Sequence, residues 1–272
     1  MPRMYLKRFE SPEKRLCVWN LETNKLLTNQ NRDNFAVKGY FYDACQEDLD
    51  LAFREIRMAR PQMASRIDTS GEQLIEHYLN KSESDTSEIM DQICQDHKAF
   101  YNKENVQKLL IFLHDLAYRT EAFRECAVPI DEKLFEEEVK AGTFGEHAQR
   151  YQLVGVRPLM YTSQMLVRDY KWYIATVPGK MQLVISDNPA QGIIEEQDDI
   201  CIPLCGNIAI IFRRKNPKEP LYSKDIPNGR EIVLSERSVF IYNALQRQYA
   251  NRYMFGDQES LEFVKNMYEK ES

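Results

Sequence analysis

The sequence predicts an α+β fold: an antiparallel sheet of N-terminal and C-terminal strands packed against a predominantly helical middle. Three observations predict it. β-prone, aromatic runs cluster in the first 45 residues and again after residue 170. Apolar residues recur at three and four between them, and alternation returns only past Tyr170. Strands grouped at the two ends, not alternating with helices, argue against a parallel βαβ array. The 272 residues are 43% hydrophobic, enough for one sizeable core, so the chain is read as a single domain, 1–272. Its parts are an N-terminal segment and hairpin (1–46), a helical part (47–170) and a C-terminal sheet with helices (171–272).

In chain order, Leu16-Cys17-Val18-Trp19 reads as a strand, Thr23-Asn24 as a turn and Leu26-Leu27 as the return. Phe35 to Asp43, with Tyr40-Phe41-Tyr42, suits an edge strand. Asp48–Ala59 has helical spacing of Leu49, Phe53 and Ile56, and Pro61 ends it. Glu72–Leu79 is a second helix, followed by a solvated loop over Lys81–Ser87. Asn105–Cys126 is the strongest helix, with Val106, Leu109, Leu110, Leu113 and Leu116 on one stripe and Pro129 as its stop. Asp131–Lys140 is a short acidic helix ending at Gly142, and Tyr151–Asp169 is another helix.

Period two then takes over. Trp172–Val177 is a strand, Pro178-Gly179-Lys180 a hairpin turn, and Gln182–Ser186 the returning strand. Ile200–Leu204 and Ile208–Phe212 flank a tight turn at Gly206-Asn207. Glu231–Leu234 is an edge strand or a helix lead-in. Glu236–Met254 and Leu261–Tyr268 are helices. Asn243 lies inside the first of these, where asparagine is unfavourable without a partner, so it is expected to bond something specific.

Composition excludes several function classes. A net charge of −6 opposes general phosphate coating, though it leaves room for a local basic cleft. No window approaches the roughly 20 apolar residues of a membrane span, and the opening lacks a signal-peptide apolar run. Six cysteines without a C-x-x-C pair suit reduced thiols in a cytoplasmic protein. His77, His97, His114 and His147 lack zinc-ligand spacing. There is no phosphate-binding P-loop, no dinucleotide fingerprint and no G-x-S-x-G elbow.

Two polar-aromatic segments stand out as candidates for a site. Pro2-Arg3-Met4-Tyr5-Leu6-Lys7-Arg8-Phe9 opens the chain, and Ser186-Asp187-Asn188-Pro189 follows the apolar Leu183-Val184-Ile185. An arginine beside a phenol suits a phosphate or carboxylate. The plain alternative packs Tyr5, Leu6 and Phe9 into the core and leaves the cations in solvent. A carboxylate at a strand end can act as a base or hold a divalent metal ion. The plain alternative is a turn capped by Ser186, Asp187 and Asn188. Arg119 ends an apolar stripe. It either serves the helix dipole and an acidic partner or reaches Asp187 or a bound anion. Asn251 and Arg252 are candidates for further polar lining. His114, inside the stripe, reads as a satisfied core histidine.

Several short motifs share an order with a known family. Pro2, Tyr5, Leu6 and Phe9 come first, then Tyr40-Phe41-Tyr42, Arg119-Thr120, Ser186-Asp187-Asn188-Pro189 and Pro203-Leu204. In that order they resemble the bacterial domain of unknown function 4238, over almost the whole chain. The resemblance implies architecture more than mechanism. It also implies a histidine a few residues before the first proline, which a sequence beginning Met1-Pro2 does not contain.

These readings converge on one polar cleft. Asp187 and Arg119 are its expected catalytic pair, and Arg3, Tyr5 and Asn188 its expected ligand contacts. No protein-only metal cluster is expected, and a divalent ion is the cofactor Asp187 could take. The function expected first is phosphodiester cleavage of a nucleic acid, in a toxin or phage-defence setting. The alternative is a non-catalytic sensor or adaptor that binds an anionic ligand or a protein partner.

Overall fold

A computed structural model of the chain describes residues 1–36, 54, 58, 74–129 and 132–271. The architecture is α+β, with two four-stranded sheets embedded among helices. The first sheet joins the chain's two ends, in the order β2-β1-β8-β4 and antiparallel throughout. Its strands are β1 (Leu16–Asn20), β2 (Lys25–Gln30), β4 (Ile185–Ser186) and β8 (Tyr253–Gly256). The second sheet is wholly C-terminal, in the order β5-β6-β3-β7. It comprises β3 (Tyr170–Thr176), β5 (Asp199–Cys205), β6 (Ile208–Arg214) and β7 (Glu231–Val233), with β7 parallel to β3.

In β5 and β6 six of seven residues are buried, so neither strand has a wet face. Ile200, Ile202, Ile210 and Phe212 enter one core with the helices. Cys201, Ala209 and Ile211 enter another with Val239 and Tyr242. A sheet covered on both faces needs continuous apolar runs, which is why these strands read so apolar. The larger core takes Tyr5, Leu6 and Phe9 from the N terminus. It also takes one side of α3 (Leu74–Gln95), α4 (Lys103–Tyr118) and α8 (Val156–Asp169).

Several expectations are corrected. Lys81–Ser87 is not a loop but the middle of α3. Two of its polar side chains face α4 and its end: Ser82 Oγ donates to Asp115 at 2.8 Å and Glu83 pairs with Arg119 at 2.7 Å, so tertiary partners override the local loop preference. The Asn105–Cys126 helix is two helices. α4 ends at Tyr118, and α5 (Glu121–Cys126) starts on a Thr120 cap whose Oγ1 accepts from Phe123 N at 3.2 Å. Gln149 secures the break by donating to the carbonyls of Tyr118 and Thr120, both at 2.8 Å. Likewise Gly155 divides Tyr151–Asp169 between α7 (Phe144–Val154) and α8. Phe35 and Ala36 belong to the one-turn helix α2 (Asp33–Ala36), while the rest of that predicted strand and the Asp48–Ala59 helix lie outside the described residues, except for positions 54 and 58.

A further correction concerns Gln182–Ser186, which does not return along β3. Both edges of β3 are taken, by β6 and β7. The segment crosses instead to the first sheet, where Ile185 and Ser186 pair with Phe255 and Met254. Helix α10 (Glu236–Tyr249) supplies side chains in place of a partner strand. Asn243 Oδ1 accepts from Val184 N at 2.9 Å, and its Nδ2 donates to Gln182 O at 2.8 Å. Gln246 Oε1 accepts from Ser186 N at 2.9 Å, and its Nε2 donates to Pro189 O at 3.0 Å.

β8 is the strand that the helical reading of residues 236–254 missed. It sits between β1 and β4 and lies close against Val184: a Cβ on Gly256 would stand 2.7 Å from Val184 Cγ1. Gly256→Ala should therefore destabilise the fold by about 1–3 kcal/mol, the usual cost of overpacking. Urea denaturation followed by circular dichroism measures this directly, and an unchanged midpoint would show that Val184 yields freely.

Candidate functional site

Between the two chain ends and the α4–α5 break lies a cavity of about 470 Å³ among the described residues. Arg3, Arg119 and Asp187 all line it, although they are separated by more than 60 residues at every step. The fold places each for a local reason. Pro2 starts α1 (Arg3–Leu6), whose Tyr5 and Leu6 are driven into the core, leaving Arg3 on the opposite side. Arg119 is the residue at which α4 stops, so its guanidinium emerges at the helix end. Asp187 follows β4 and faces the turn that leads into β8.

That turn binds the Asp187 carboxylate. Oδ1 accepts from Asn251 N at 2.8 Å, and Oδ2 accepts from Arg252 N at 2.8 Å and Tyr253 N at 3.1 Å. These N–H groups favour the charged form, but burial outweighs them and raises the Asp187 pKa. Asp187 therefore caps a turn, but the turn belongs to the opposite chain end, not to its own strand.

The arginines have acidic partners. Arg3 forks onto Asp33 with two bonds of 2.6 Å. Arg119 Nη1 donates to Glu83 at 2.7 Å, a pair nearly shut off from solvent. Arg252 is held more loosely, 3.3 Å from Glu22 and 3.8 Å from Glu121, with its side chain 42% exposed. The remaining wall is aromatic. Tyr253 and Phe255 project from one face of β8, and Phe35 meets both edge-on, with centroids at 5.2 and 5.6 Å. Asn34, Asn80 and Asn251 add amide groups to the lining.

Tyr5 and Asn188 do not reach this cavity. The Tyr5 hydroxyl is fully buried and donates to Pro203 O at 2.5 Å, and its ring packs on Phe9 and Phe112. Burial raises its pKa well above the ordinary value, which suits a core anchor. Asn188 turns the other way, towards a separate cavity of about 290 Å³, and its Nδ2 donates to Gln191 at 2.9 Å. His114 is a core histidine, held at 3.0 Å from Thr162 Oγ1 and 2.7 Å from Gln152 O, and burial lowers its pKa to about 4.

Sequence reasoning missed Glu83, because a loop was expected there, and the aromatic wall, because β8 was read as helix. The alternation Tyr253-Met254-Phe255 was the available signal. Behind the cavity, Asp115 is also buried. Desolvation raises its pKa to about 7, against the opposing pull of Ser82 and Arg119. Among the described residues no three His, Cys, Asp or Glu side chains converge as metal ligands, and no helix is long and apolar enough to cross a membrane.

The chain matches no curated protein and no solved structure. A family model for a protein of unknown function, DUF4238, matches residues 1–260. The motifs from Pro2 to Pro203-Leu204 fall within that match, and the chain belongs to the DUF4238 family.

Proposed function

We propose that the cavity binds a phosphate-bearing aromatic ligand, either a nucleotide or a short stretch of single-stranded nucleic acid. One observation carries the reading: an aromatic wall of Phe35 and Tyr253, backed by the buried Phe255, lines the same cavity as Arg3, Arg119 and Arg252. Aromatic faces take bases, arginines take phosphates, and asparagine amides suit base edges. The volume lies in the range of small-ligand sites. Arg252 is the group best able to change partner, since its contacts to Glu22 and Glu121 are long and exposed.

The raised proton affinity of Asp187 favours a second reading, in which the bound phosphodiester is cleaved with Asp187 as general base. Its commitment to three backbone N–H groups favours binding without turnover. Fluorescence polarisation with labelled oligonucleotides and with nucleotides tests the first reading. Arg252→Ala should weaken binding about tenfold and lower the salt slope by about one. Affinities equal to wild type in both Arg252→Ala and Arg3→Ala would discard it. Gel analysis of the same oligonucleotide, with and without Mg²⁺ or Mn²⁺, separates cleavage from retention.

A further inference from the structure

Away from the cleft, another cavity, of about 360 Å³, lies among the N-terminal segment, strands β1 and β2 and the start of α11 (Gln258–Glu271). Two charged side chains on its wall each carry one buried atom without a partner among the described residues, and the two atoms have opposite needs. The Arg8 side chain is only 10% exposed. Its Nη2 donates to Ser87 O at 2.8 Å and to Asp91 at 2.7 Å, which leaves the Nε–H unanswered. Asp257 caps α11 with one oxygen, Oδ1 accepting from Ser260 N at 2.9 Å, which leaves Oδ2 unanswered. A buried polar atom left unpaired is costly, more so on a charged group, and so each of these calls for a reason. The rest of the wall is balanced in charge. Glu10 is already held by Arg32, whose Nη1 stands 2.7 Å from both of its oxygens. Arg15 and Glu13, both exposed, add one charge of each sign, and Phe9, Pro12 and Leu16 give the cavity an apolar side. Cys17 lies on the same wall, where burial first, and the charges of Glu262 and Asp257 after it, raise its thiol to about 11.

We propose that this cavity binds a free α-amino acid as its zwitterion, with the ammonium on Asp257 Oδ2 and the carboxylate on Arg8 Nε and Arg15. The two unanswered atoms set the chemistry. Asp257 Oδ2 needs an N–H donor and Arg8 Nε–H needs an acceptor, and charge on the ligand strengthens both bonds. A polyamine offers the donor without the acceptor. An organic acid or a phosphate offers the acceptor and would meet the Asp257 carboxylate as a like charge. A betaine has both charges but no N–H. An α-amino acid supplies both groups on one carbon, and its side chain can lie against Phe9, Pro12 and Leu16. The volume stands at the lower end of small-ligand sites, as a ligand of this size requires.

Thermal unfolding of the full chain with each of the standard amino acids at about 10 mM, followed by calorimetric titration of those that stabilise it, tests this. At least one should raise Tm, by about 3 °C if its Kd is about 1 mM. The N-acetyl derivative of that amino acid, which has no ammonium, and its amide, which has no carboxylate, should each leave Tm unchanged. Asp257→Asn keeps an acceptor for Ser260 N and removes the charge, so it should weaken binding about tenfold or more. Arg15→Ala removes an exposed side chain and should weaken binding in the same direction. The two derivatives decide the matter on the wild-type chain even where a variant fails to fold. A Tm unmoved by every amino acid, or moved equally by the acetylated or amidated form, would overturn the proposal.

Discussion

Asn243→Ala is expected to cost about 2–4 kcal/mol of folding stability, because the buried Val184 N–H loses its partner at about 1–3 kcal/mol and the part-buried Gln182 carbonyl loses its own at a smaller cost. Asn243 is fully buried, and it stands where a neighbouring strand would otherwise bond to Gln182 and Val184. The chemistry is directional. Asn243→Asp keeps an acceptor for Val184 N but turns a second oxygen onto Gln182 O, so this near-isosteric change should be no milder than alanine. Equilibrium urea denaturation of the two variants and wild type measures the loss. Amide hydrogen exchange should show it concentrated in residues 182–189, the stretch that leads into the Asp187 turn. A loss below 1 kcal/mol for alanine would mean that water or a shifted backbone replaces the side chain.

The second large effect is a pH dependence centred on Asp115. Its pKa is about 7 in the folded chain, against 3.8 for an ordinary aspartate, because burial penalises the carboxylate. A raised carboxyl pKa means that the folded state holds its proton more tightly than the unfolded chain. The associated stability is fully present below about pH 4, falls as pH rises, and is spent once pH passes about 7. Three pKa units correspond to roughly 4 kcal/mol. Carboxylates with lowered pKa values, such as Asp198 and Asp225, act in the opposite sense at lower pH, so the comparison must be with a variant. Asp115→Asn keeps an acceptor for Ser82 and removes the titration. Relative to wild type, the variant should gain up to about 3 kcal/mol between pH 5 and pH 8. An equal offset at both pH values would show that Asp115 does not titrate in that window.

Local chemistry made much of the fold legible. The hairpin at Gly206-Asn207 was read correctly because both flanking strands are apolar throughout and the turn is short. Residues 231–234 were read as an edge strand or a helix lead-in, and β7 is the edge strand; Asn243 was read as a helix residue in need of a partner. Asp187 and both arginines were singled out because charge next to an apolar run is costly unless it is placed for a reason, and they do share one cavity. Tyr5 was singled out on similar grounds, yet its hydroxyl answers a backbone carbonyl inside the core. A buried phenol with a partner and a ligand-binding phenol look identical in sequence.

Alternation, helical spacing and turn chemistry reach only a few residues along the chain, and at that range they settled the α+β class and most elements. Partner choice acts across the chain. β3 accepted β6 and β7 and so sent residues 182–186 to the other sheet, the four residues of β8 became a central strand only because β1 and β4 flank them, and Glu83 became the partner of Arg119 only when α3 packed on α4. Backbone bonds and buried charges take whichever complement the whole fold brings within about 3 Å, and for these residues that complement lies tens to hundreds of positions away.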